Sequence, residues 1–148
     1  MSKIAEASVS LGSRASSETP KKALALLSVG DICHAAALSN ASVILLVTKT
    51  DAGRIFARRV TTQQEVIFDR STGQAVEPQE AAGAVWIDCL EPLPDAHRNA
   101  LTGLDRRYRL ARGDDRFRLT EAEQLALLFV DDHVAVHGFD DFSPRRGQ

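Results

Sequence analysis

The sequence predicts an α+β protein: a small antiparallel β-barrel, an SH3-like roll of five to six short strands, followed by two C-terminal helices. Three observations carry this. Residues 28–91 break into apolar runs of strand length separated by turn residues. After Pro92-Leu93-Pro94 the apolar spacing lengthens to that of a helix. Thr120-Glu121-Ala122-Glu123 has the form of a capping box ahead of a long apolar segment.

Each element has its own local signal. Residues 1–18 hold six serines and little apolar periodicity, which predicts a disordered tail. Thr19-Pro20 supplies an N-cap and a first helical residue for a short helix to about residue 28, with Gly30 just past its end; a strand over 23–29 competes. Residues 31–38 and 42–50 are strands, the second rich in β-branched side chains, with Ser39-Asn40 turning between them. Asp51-Ala52-Gly53 turns into a strand over 54–61. Residues 65–69 alternate, with Val66 and Phe68 on one face. Arg70-Ser71-Thr72-Gly73 turns into a short strand over 74–76, residues 77–83 form a loop, and residues 84–90 make the last strand. The barrel fills 28–91, and with the short helix it makes one unit, 19–91.

The helical part spans 92–138 and packs on the barrel. Leu101, Leu104, Tyr108 and Ala111 share a stripe, with Arg98, Arg109 and Arg112 on an exposed one beside it. Over 104–119 a hairpin competes, because 107–110 and 116–119 alternate around Gly113-Asp114-Asp115. In the last helix Ala122, Leu125, Ala126, Phe129, His133 and Val136 are expected on the buried face, with Glu123, Gln124 and Asp131 towards the other, and Gly138 at the end. Residues 139–148 are expected to fray.

Composition excludes several classes. The 148 residues are 44% hydrophobic and 26% charged, with a formal net charge of −2, which is no globally cationic nucleic-acid binder. The two cysteines, Cys33 and Cys89, make no disulfide framework and fit a reduced, cytoplasmic protein. Apolar runs fall short of the ~20 residues of a membrane span. Lys21-Lys22 ahead of Ala23-Leu24-Ala25-Leu26-Leu27 imitates an export signal, but the apolar core is short and Asp31 ends it, so export by this route is not expected. The near-neutral total hides segments. Residues 77–95 hold five acids and no base, and residues 96–118 hold seven Arg against three Asp.

No phosphate loop and no Gly-x-Ser-x-Gly elbow occurs. His133 and His137 lie four apart on a helix but lack further zinc ligands, so no metal and no cofactor is expected. Cys33 and His34 are strand neighbours that point to opposite faces, and Cys89 stands among acids that raise a thiol pKa, so both cysteines read as core. No catalytic residue is assigned.

The candidate binding residues are Lys49, Arg54, Arg58, Arg59 and Arg70, on or beside adjacent strands with Phe56 and Phe68 between them. Asp51, Glu65 and Asp69 stand on the same strands and are expected to compete for them by cross-strand pairing. The expected function is a non-enzymatic intracellular binding module that recognises a protein partner, or a second copy of itself, through a charged barrel face. The alternative is a nucleic-acid-binding regulator using the Arg54/Arg58/Arg59/Arg70 face, and behind it stands a small hydrolase or nuclease whose site the sequence does not display. No membrane partner is expected.

Overall fold

A computed structural model describes residues 18–112, 114 and 116–138. Most of the expected N-terminal tail and the whole of 139–148 lie outside the described residues. The elements run α1 (Glu18–Leu26), β1 (Ile32–Ala37), β2 (Ser42–Thr50), β3 (Arg54–Arg59), β4 (Glu65–Asp69), β5 (Ala75–Glu77), β6 (Val85–Cys89), α2 (Asp95–Ala111) and α3 (Glu121–His137). The six strands form one antiparallel sheet in the order β5-β4-β3-β2-β1-β6. It curls until its ends meet: Gln74 bridges Trp86, and Ile87 N–H donates to the Gly73 carbonyl at 2.8 Å. Gly73 stands at φ +78°, a conformation open to glycine, so the turn brings the two ends of the sheet together.

Two cores follow from strand alternation. Inside the curl lie Cys33 and Ala35 of β1, Val43, Leu45 and Val47 of β2, Ile55 and Ala57 of β3, Val66 and Phe68 of β4, Ala75 of β5 and Ile87 of β6, with Leu24 and Leu27 from the α1 end. On the outer face Ile32, Ile44 and Leu46 meet Leu101 and Leu104 of α2 and Ala126 and Val130 of α3. The Val-Ile-Leu-Leu-Val run of β2 is apolar throughout because both of its faces are covered.

The helical reading of 19–28 holds over the strand reading, with α1 ending at Leu26. The 104–119 ambiguity resolves as helix to Ala111, and residues 116–119 carry no strand. Arg112 ends α2 in the left-handed region at φ 51°. The expected orientation of α3 is corrected. The helix buries Glu123, Ala126, Val130 and His133, leaving Ala122, Leu125 and Val136 exposed. The cause is Glu123. Its carboxylate accepts from Thr120 N–H at 2.9 Å to close the capping box and pairs with Arg107 of α2. A partnered acid is tolerated in a helix interface where an unpartnered one is not, and it turns the helix about its axis.

The polar anchor between sheet and helices is Arg58–Asp105. Asp105 of α2 is 3% exposed at its side chain and takes both prongs of the Arg58 guanidinium from β3, at 2.9 and 2.8 Å. Gln63 adds an amide donor at 2.9 Å. Burial resists ionisation of Asp105, but the bonds from Arg58 and Gln63 outweigh it and hold the carboxyl below its usual range. Removing one partner of such a pair costs about 3–5 kcal/mol, so Asp105→Ala is expected to unfold at markedly lower urea than Arg58→Met/Asp105→Leu, in which neither charge is left unpaired. A depressed folded-state pKa gives stability that is present above the ordinary carboxylate pKa of about 4 and drains away as pH falls through the folded value. Asp105→Asn therefore flattens the acid limb of stability against pH, measured by urea titration between pH 7 and 2.

Candidate functional site

The five predicted cations do not form one surface. Arg58 is committed to Asp105. Arg70 reaches back to the end of α1, donating to the carbonyls of Leu24, Ala25 and Leu27 at 3.2, 2.8 and 2.9 Å, and to Asp51 O at 2.7 Å. It serves the carbonyls that a helix end leaves without intrahelical partners. Arg59 donates to Gln64 Oε1 at 3.3 Å, and its Nε is buried without a hydrogen-bond partner. Lys49 and Arg54 remain outward, their cations 5.0 and 5.7 Å from the centre of the half-buried Phe56 ring. Phe68 is fully buried and offers nothing to a base. The expected charged barrel face is thereby reduced to Lys49 and Arg54, because Arg58 and Arg70 are spent on interior anchoring.

Cys33, Cys89 and His133 are buried, as expected. Burial, aided by Asp88, raises both thiols, Cys89 to about 11, so neither is a thiolate at neutral pH. His133 is buried, with Nε2 2.9 Å from the Glu91 carbonyl oxygen, and its ring lies beside those of Phe129 and His137. Among the described residues no group of His, Cys, Asp or Glu is placed to hold a metal ion. No described helix is long and apolar enough to cross a membrane.

A polar chain the sequence reading passed over lies on the outer face of β1, β2 and β6. His34 Nδ1 stands 2.6 Å from Asp88 Oδ1, and His34 Nε2 stands 2.8 Å from Ser42 Oγ. Ser42 Oγ also lies 3.3 Å from Asp131 Oδ1 of α3. His34 and Ser42 come together because the β1–β2 register pairs His34 with Ile44, leaving Ser42 as its diagonal neighbour. Asp88 is brought in by an irregularity. The β1–β6 register pairs Ala35 with Ile87 but His34 with Cys89, so Asp88 is the extra residue of a bulge, aimed at the imidazole. Gly138 lets α3 end against this bulge, since a Cβ there would fall 3.3 Å from Asp88 O and 2.7 Å from Val134 O. Strand alternation made the outward direction of His34 and Ser42 readable; the β6 pairing and its bulge carried no local signal. The chain borders a cleft of about 270 Å³ between the β1–β2 turn and α3.

The second outward feature is an apolar stripe on α3. Leu125, Leu128 and Val136 are 53%, 68% and 65% exposed. They fall at i, i+3 and i+11 with Asp132 at i+7, one line along the helix opposite its buried face. Comparison with family models, with curated proteins and with solved structures finds no match.

Arg70→Ala is expected to cost about 1.5–3 kcal/mol, the scale of bonds to a charged donor. Hydrogen exchange should then show α1 opening ahead of the barrel. Arg54→Ala, outward over the Phe56 ring, should stay within about 0.5 kcal/mol of the parent in the same urea titration.

Proposed function

We propose that this chain is an intracellular protein-binding module that takes a basic amphipathic helix along α3. The observation that carries the reading is the exposed line of Leu125, Leu128 and Val136. A helix of a monomeric protein is apolar on its core side; one that is apolar on both sides has a second surface to cover. Exposed charge on this helix is of one sign. Asp132 stands within the line, Glu121 and Asp131 lie near it, and α3 carries neither Lys nor Arg. The complementary occupant has leucine-type anchors at helical spacing and Lys or Arg beside them, the arrangement of helix-in-groove recognition. Fully burying three such side chains contributes on the order of 5 kcal/mol before the costs of association, enough for a modest, reversible complex.

This moves the recognition surface from the barrel to α3, for the reason already given: Arg58 and Arg70 are engaged inside, which leaves the barrel face with Lys49 and Arg54. A second copy of the chain fits less well, because pairing two α3 helices along this line brings together the acids of both copies with no Lys or Arg on either helix to meet them.

The expected outcome is saturable binding of a fluorescent Leu/Lys amphipathic peptide with micromolar affinity. A Leu/Glu peptide of the same pattern should bind at least about tenfold more weakly, and Leu128→Asp should abolish binding without lowering the unfolding midpoint. Equal binding of both peptides, binding of neither, or a dimer in light scattering that Leu128→Asp dissolves would each overturn the reading.

A further inference from the structure

Beyond recognition, we infer that Ser42, His34 and Asp88 form an acyl-transfer centre that hydrolyses esters of short apolar acids. The hydrogen-bond order is carboxylate, Nδ1, Nε2, hydroxyl, at 2.6 and 2.8 Å. This is the order that a serine nucleophile needs, and it recurs on unrelated folds because it is defined by geometry rather than by sequence position. Asp88 accepts from Nδ1–H, which fixes the tautomer and leaves the Nε2 lone pair facing the hydroxyl. The acid and the base are largely buried, with side chains 15% and 10% exposed, while Ser42 stands exposed at the cleft. Three adjacent strands hold the three groups, and the register shift between β1 and β6 delivers Asp88 to the imidazole.

The step balances with water as the one co-reactant. Ser42 Oγ bonds to the ester carbonyl carbon as its proton passes to His34 Nε2, and Asp88 stabilises the imidazolium. The carbon–alkoxide bond then breaks, and the departing alkoxide takes the proton from Nε2. Water repeats the sequence on the acyl-serine and releases the carboxylic acid. The cleft is walled by Ala36, Ala37, Ala41, Trp86 and Val134, small or flat apolar surfaces that suit a short acyl chain. Asp131 at its edge excludes anionic substrates by repulsion.

Asp131 also makes the proposal discriminating. It offers the Ser42 hydroxyl a second acceptor, at 3.3 Å against 2.8 Å to the imidazole, and its charge opposes the oxyanion that forms next to Ser42. If the chain of bonds served only to tie α3 to β2, removing that charge would weaken the tie and accelerate nothing.

The test uses the full chain with p-nitrophenyl acetate and with a fluorophosphonate probe, whose phosphorus bonds to the serine oxygen as fluoride leaves and the proton passes to His34. Mass spectrometry should place one adduct on Ser42. Ester hydrolysis should fall about 10²-fold or more in Ser42→Ala and in His34→Gln, and Asp131→Asn should hydrolyse the ester faster than the parent. Ser42 and Asp131 are exposed, so these two variants remain informative if His34→Gln does not fold. No adduct on Ser42 in the folded protein, a Ser42→Ala rate equal to the parent's, or an Asp131→Asn rate below it would overturn the assignment.

Discussion

Val43, Leu45 and Val47 point into the barrel while Ile44 and Leu46 point out of it, and all five are buried. No sheet of this size buries both faces of a strand by itself. The outer face of β1 and β2 therefore requires α2 and α3, and the helices require the sheet, since Leu101, Leu104, Ala126 and Val130 find their cover there. The rest of the structure adjusts to this constraint. The buried acids at these contacts, Asp105 paired with Arg58 between helix and sheet and Glu123 paired with Arg107 between the two helices, are partnered because a lone buried charge is costly.

The same constraint explains why arginine content was a poor guide to a binding surface. On a one-sided sheet, outward cations stay free. Here the outer face is half covered by α2, so Arg58 meets a helix carboxylate rather than the cross-strand Glu65 that its register offers. Arg70 meets helix carbonyls because α1 closes the end of the barrel. Guanidinium suits both tasks through its planar fork of donors, and an arginine-rich small domain gains interlayer clamps from the same chemistry that would read phosphate.

Local rules carried the elements well. Turn residues at 39–40, 51–53 and 70–73 and the alternation at 65–69 marked the strands, and Thr120 with Glu123 marked the start of α3. What local rules did not carry was orientation. The pattern of α3 is apolar on two sides, so periodicity alone selected the line through Leu125 and Val136. The capping acid Glu123 in fact turns inward, held by Arg107 across 16 positions of chain. His34 and Ser42 were readable as outward neighbours in a hairpin, but Asp88 lies 54 positions away, and its approach depends on a bulge that no residue pattern announces.

A doubly covered β2 means that sheet and helices stand or fall together, and native-state hydrogen exchange tests this most directly. The amides of Leu45 and Leu46 in β2 and of Leu104 and Val130 in the helices are expected to open with one common free energy, equal to that of global unfolding by urea. Exchange through the helices at a free energy several kcal/mol lower, with β2 still fully protected, would show a barrel that stands without them and would contradict the account.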